Sequence, residues 1–385
     1  MLAAVERGFR DSFGGGSGRM FFAPGRINLL GAHLDYNGGD VLPMSVDRGV
    51  YVMARLCAEP LLRLRSLDQG LQLEIDTEAI GERTLPEWGW GGYPAGVFAR
   101  FRARTGLGSG VEMFFGGDLP MASGLSSSAA IEIAAALALD ALHGTGLERV
   151  DLATIGHEAE TGFVGLRCGI MDQFASALGR PGQVLWLHCA GPSWEHVPFD
   201  PSACEVLVMD TGKPRRLAKT GFNERVAECA SAHRILREHV RDLPHLALYG
   251  PEDLEASGDR LGPVFFRRAR HVVTEMGRVS RGAAALLRHD YESLGAVLDQ
   301  SHRSTAEDYE VSCPELDAIT EEARRCEAVY GARLTGAGFG GCAIALIRPG
   351  AEDAVSDRVS RAYRRRFGLE PRFDVLHAGS GPGEV

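Results

Sequence analysis

Fifteen residues near the start of the chain, GRINLLGAHLDYNGG at positions 25–39, bring together Arg26, His33, Asp35 and four glycines. The stretch is too polar and too Gly-rich for an ordinary core, yet it follows the apolar run MFFAP. A second stretch, DLPMASGLSSSAAIEIAAALALDAL at 118–142, suits phosphate. Small residues from Ala122 to Ser128 let backbone N–H groups approach a ligand, and the helix that follows points its positive end at the same place. Gly124 and Leu125 lead into three successive hydroxyls, Ser126, Ser127 and Ser128, which supply donors and one potential magnesium ligand. An ordinary helix cap needs only one serine. The segment is not the G-x-x-x-x-G-K-[ST] loop, because no lysine follows.

A third stretch, LTGAGFGGCAIAL at 334–346, has a G-x-G-x-x-G-like spacing, but a strand is predicted after it where a dinucleotide site needs a helix. Taken alone it reads equally well as a tight hairpin turn. Two acids, Glu160 in HEAETGFVG and Asp172 in CGIMDQFAS, stand twelve residues apart. Phosphoryl transfer uses one carboxylate near the attacking hydroxyl and another on the metal. Spacing does not show that these two share a pocket, and by themselves both read as solvated surface residues.

These residues need elements to hold them. Residues 3–12 are predicted as a short amphipathic helix. MFFAPG, DVLPMSV, GVYVMARL, LQLEID and VEMFFGGDLP read as strands separated by turn residues. Long helices are predicted from GLSSSAA onward and over DLATIGHEAETGFVG. From about Glu205 the pattern restarts, with CEVLVMDTG as a strand. GFNERVAECASAHRILREHV and PELDAITEEARRCEAVYG follow as helices. The expected division is an N-terminal lobe over 1–200, carrying the first two motifs, and a C-terminal lobe over 201–385, carrying GAGFGG.

The chain has 385 residues, enough for two lobes, and a formal net charge of -10, which argues against a nucleic-acid partner. Eight cysteines lie scattered with no C-x-x-C pair, as in a reduced protein without a metal cage. No signal-like start and no apolar run of about 20 residues appears, so a soluble cytoplasmic protein without membrane contact is expected, a monomer or weak homodimer.

APGRINLLGAHLDYNGG, PMASGLSSSAA and LTGAGFGGCAIAL, in that order, resemble the three motifs of the GHMP small-molecule kinases, and the first resembles the galactokinase signature. CGIMDQFAS, RRARHVVTEM and SHRSTAEDYEVSCPELDAI extend the resemblance over residues 20–350. It implies an α/β protein with the two-lobed α+β GHMP kinase fold: a ribosomal-protein-like N-terminal lobe, an α/β C-terminal lobe, and the active site in the cleft. It implies transfer of the ATP γ-phosphate to the anomeric hydroxyl of a sugar. By the same resemblance Asp172 is the catalytic aspartate with Arg26 beside it. Ser128 and Glu160 match the Mg2+ ligands, His33, Asp35 and Gly169 match sugar contacts, and 124–128 cradle the phosphates.

Two positions depart from that pattern. Galactokinases read G-E-H-T-D-Y, their glutamate bonding the sugar's hydroxymethyl group, where this chain has Ala32. Phe222 stands where the family has a sugar-contacting tyrosine. Each lost hydrogen bond costs roughly 1–3 kcal/mol for galactose. A carboxylate at the sixth carbon would instead be repelled by that glutamate, by about 4 kcal/mol at ~4 Å and an effective dielectric near 20. G-A-H-x-D also resembles the galacturonokinase pattern, and Lys219 offers a nearby cation. D-galacturonate is therefore the expected substrate, with D-galactose, L-arabinose or a 6-deoxy sugar as alternatives. A non-catalytic sugar- and ATP-binding regulator would be expected to have lost the serine loop, Arg26 or Asp172, and all are intact.

Overall fold

The computed structural model describes residues 1–70, 72–120, 124–213 and 218–385, with side chains in the last segment from 221 on. Met121, Ala122 and Ser123 of the serine-rich stretch, and the Lys219 side chain, lie outside the described residues.

The alternating apolar runs of the first lobe form a six-stranded sheet. Its order is Gly383–Glu384, Arg19–Asn28, Pro43–Cys57, Gly110–Gly117, Leu61–Ser66, Leu73–Asp76. Every pairing is antiparallel except that of Leu61–Ser66 with Gly110–Gly117. The helices Gly92–Thr105, Ser127–His143, Arg149–Glu158 and Met171–Leu178 pack with it into one core, rich in small residues along Ser127–His143 so that this helix can sit close to the strands. The amphipathic helix Leu2–Phe13 covers the sheet elsewhere, burying Val5 and Phe9 against Met53 and Phe114. A small sheet of Asp40–Val41, Gln183–His188 and Ser193–Pro198 follows.

The second lobe is built on an antiparallel sheet ordered Val329–Leu334, Cys342–Ile347, Glu205–Asp210, Arg372–Leu376. Helices Tyr291–Glu307 and Pro314–Arg324 pack on it, and Glu352–Phe367 packs against Pro314–Arg324. The chain then returns to the first lobe, where Phe21 pairs with Glu384 and Phe22 with Gly383. A cut at residue 200 therefore marks where the second sheet begins, while the tail belongs spatially to the first lobe. The segment predicted as one helix through Gly331 ends at Arg324, because Val329–Leu334 is claimed as a strand by Cys342–Ile347. The architecture is mixed α/β in two lobes, as expected.

Candidate functional site

Residues 25–34 are buried throughout, contrary to the expectation that so polar a stretch avoids the interior. The reason is geometric. The strand Arg19–Asn28 loses register with its neighbour between Pro24 and Arg26, a bulge centred on Gly25. At that bulge a Cβ on Gly25 would stand 2.8 Å from the Leu125 carbonyl oxygen, so only glycine lets the serine loop lie directly on the strand. The Arg26 N–H then donates to the Leu125 carbonyl at 3.0 Å, and Arg26 Nη1 to the Gly124 carbonyl at 2.8 Å.

The rest of the Arg26 guanidinium grips Asp172. Nε donates to Oδ1 and Nη2 to Oδ2, both at 2.7 Å, a bidentate pair that fixes the carboxylate's plane. Ser126 Oγ donates to Asp172 Oδ2 as well. Ser126 holds a left-handed backbone, φ 56° and ψ 54°, at the head of the Ser127–His143 helix. Asp172 itself lies in the first turn of Met171–Leu178.

Glu160 occupies a wide π turn, Ala159–Val164, that continues Arg149–Glu158. Such turns recur at functional sites because they re-aim one side chain. Glu160 is buried, not the solvated residue its sequence context suggests. Its carboxylate takes hydrogen bonds from Gln173 Nε2 at 2.6 Å, from the Cys168 thiol at 3.3 Å and from Ser128, and no described cation pairs with it. Burial first, then the nearby Asp172 charge, push its carboxyl above the ordinary range. Such a buried, uncompensated carboxylate beside a hydroxyl suits a divalent ion. Magnesium keeps most of its water and takes one or two carboxylates plus phosphate oxygens.

Two cavities meet here. The larger, about 610 Å³, is lined by Gly124 to Ser128, Trp90, Tyr93 and the 116–120 turn. The smaller, about 140 Å³, is lined by Ala32, His33, Asp35, Cys168, Gly169, Asp172 and Phe222. Arg26, Gly336 and Ala337 line both. GAGFGG is thus the hairpin between Val329–Leu334 and Cys342–Ile347, as one sequence reading allowed, and it also closes the junction between the cavities.

Every residue picked out in the sequence as a sugar contact lines the smaller cavity. His33 is buried at φ 60°, its Nδ1 2.8 Å from the Tyr36 hydroxyl, and its Nε2 has no partner among the described residues. Burial, reinforced by His271 and Arg333, pushes its pKa down to about 3, so the ring is neutral. Asp35 is pushed up to about 6, by burial first and then by Asp172. Gly169 packs so tightly that a methyl group there would overlap the Asp35 carboxylate. Phe222 stands 5.8 Å from the His33 ring and 5.4 Å from Tyr36, apolar where a hydroxyl was expected from the family.

Several site residues were not singled out in the sequence, although Tyr309 and Gln173 lie inside stretches that carry the family resemblance. Tyr309 joins Tyr36 hydroxyl to hydroxyl at 2.8 Å and stacks near His33. Arg333 lines the smaller cavity although it lies in a buried strand. A lone arginine in the run VYGARL before the glycine turn was the available signal for it. Gln173, bridging Glu132 at 2.8 Å and Glu160 at 2.6 Å, had no sequence signal beyond its neighbour Asp172.

Three family models match the chain: the galactokinase galactose-binding signature over residues 7–56, the GHMP kinases N terminal domain over 92–180 and the GHMP kinases C terminal over 283–365. The galactokinase of Exiguobacterium sibiricum is 36% identical over 390 residues, covering 99% of this chain and 97% of that protein. That of Streptococcus thermophilus is 37% identical over 383 residues, covering 97% and 96%. The crystal structure of Lactococcus lactis galactokinase complexed with galactose superposes with a TM-score of 0.94 at 34% identity, covering all of both chains. Methanococcus jannaschii mevalonate kinase, at 17% identity over 94% of this chain and 99% of that one, has a TM-score of 0.68 and shares the fold.

Proposed function

We propose, from the premise that this chain belongs to the galactokinase family of the GHMP kinases, that it transfers the γ-phosphoryl group of ATP to the anomeric hydroxyl of a galacto-configured sugar. D-galactose is one substrate that its relatives support, since they are named galactokinases and one is complexed with galactose. The observation that carries the reading is the junction of the two cavities. The larger has an aromatic wall for a base and a serine-lined helix head for phosphates, the smaller has the size and polarity for one sugar, and Arg26, which lines both, holds Asp172 in the smaller.

In this arrangement the bound sugar presents its anomeric hydroxyl to Asp172. Its oxygen bonds to the γ-phosphorus as the bond to the β-phosphate oxygen breaks, ADP leaves, and the hydroxyl proton passes to Asp172. Arg26 holds the carboxylate in place and balances negative charge spread over the transferring group. Ser128 and Glu160 would hold Mg2+, which supplies charge neutralisation at the phosphates. His33 Nε2 and the Asp35 carboxylate face ring hydroxyls. D-galacturonate is a second reading, and Ala32 favours it by putting no carboxylate at that corner of the cavity.

ADP release by the purified protein with ATP, Mg2+ and D-galactose tests the reading, with Asp172→Asn as control. Sugar-dependent release that Asp172→Asn abolishes supports it. ATP turnover indifferent to sugar would sink it.

A further inference from the structure

Beside Ala32 lies a buried cluster whose charges do not cancel. Glu275 is fully buried, and both its oxygens are committed. Oε1 accepts from the Gly31 N–H at 3.0 Å and from Ser301 Oγ at 2.6 Å, while Oε2 pairs with Arg278. His271 gives its Nε2 to the Ala32 carbonyl at 3.0 Å and is neutral, pushed down to about 4 by burial. His33 is neutral too. That leaves Arg333, 1% exposed, with no carboxylate oxygen within 4.0 Å among the described residues. Its one described hydrogen bond runs from Nη1 to the Leu29 carbonyl at 2.9 Å, and its Nε has no partner.

Glu275, whose charge reaches Arg333, is already paired with Arg278; a buried guanidinium with no anion of its own is costly, and this one lines the smaller cavity together with Ala32. Ala32 lines the same cavity, and its methyl group supplies no charge there. We propose that Arg333, left unneutralised by Ala32, is the specificity-determining residue for a carboxylate at the sugar's sixth carbon, so that a galacto-configured hexuronate binds in preference to the neutral hexose. This rests on the kinase reading above for the placement of the ring. With the anomeric carbon at Asp172 and ring hydroxyls at His33 and Asp35, the Ala32–Arg333 corner receives the remaining substituent. A carboxylate there forms a charge-assisted pair with Arg333, whereas a hydroxymethyl group leaves the charge unmatched. Phe222 offers no hydroxyl to compensate.

The test measures kcat/KM on D-galacturonate and D-galactose, and binding of each sugar by calorimetry without ATP, for the wild type, Arg333→Gln and Ala32→Glu. The expected result is a galacturonate preference of roughly 30-fold or more, the scale on which a buried charge pair counts, carried by KM. Arg333→Gln should collapse that ratio, and Ala32→Glu, which keeps Arg333 and hands it an internal partner, should reverse it. Should Arg333→Gln fail to fold, Ala32→Glu alone decides. Turnover of galactose with galacturonate neither turned over nor bound overturns the inference and leaves the kinase standing. If neither sugar is turned over, galacturonate binding that Ala32→Glu removes upholds the inference while the kinase reading falls. No binding of either overturns both.

Discussion

Arg26 and Asp172 face each other through two parallel hydrogen bonds of 2.7 Å, and the same arginine reaches back to the Gly124 carbonyl of the serine-rich loop. One guanidinium thus fixes the Asp172 carboxylate and the serine-rich loop relative to each other. Arg26→Lys keeps the charge but cannot make the planar double contact. It should lower kcat by about 10–100-fold, the worth of one hydrogen bond to a charged group, with a smaller change in the ATP KM. Asp172→Asn should lower kcat by about 10²–10⁴-fold while calorimetry still detects nucleotide.

Gly169 can carry no side chain without displacing Asp35. Gly169→Ala should reduce kcat/KM for the sugar on the order of 10–100-fold, since small misplacements at a reacting centre are expensive. Steady-state kinetics with ATP saturating separates this from a nucleotide defect, which is not expected.

Asp35 is raised to about 6 by burial and then by Asp172, and in the proposed sugar site it accepts hydrogen bonds from hydroxyls more strongly when ionised. Sugar affinity should fall as pH drops through about 6, and Asp35→Asn should lack that limb. The stability sign is opposite. A folded carboxyl pKa above its unfolded value means the native state holds the proton more tightly, so stability falls as pH rises from about 4 to 6. Asp35→Asn should therefore raise Tm above the wild type at pH 8, and lose that gain near pH 4.

Glu275 is the reverse case. Burial pushes its pKa up, but Arg278, then His271 and Arg333, outweigh this and hold it at about 2. Its contribution is present above the unfolded carboxyl pKa and is lost as pH falls toward about 2. Glu275→Gln leaves Arg278 buried without its anion and removes the nearby charge that offsets Arg333, and should cost about 3–5 kcal/mol in denaturant unfolding at pH 7.

The ordered motifs made the fold and most of the site legible, because phosphate loops and close backbone contacts leave local signatures in small residues. Gly25 and Ser126 are such cases: one permits the loop to touch the strand, the other bends its own backbone to reach Asp172. What stayed hidden were long-range pairings. No spacing rule brings Arg333 and Ala32, 301 positions apart in sequence (333 − 32), to one cavity, or Tyr309 to Tyr36, because elements far apart in the chain bring them together. Burial of 25–34 and of Glu160 was hidden for the same reason. Polar residues read as exposed until their partners, contributed by distant elements, are in view.

The position of the new phosphate ester is the most direct test of the proposed function. Phosphorus and proton NMR of the product formed from ATP, Mg2+ and D-galactose or D-galacturonate should show phosphate coupled to the anomeric proton, as the proposed reaction at Asp172 requires. Phosphate on any other carbon, or free phosphate with unmodified sugar, would contradict it.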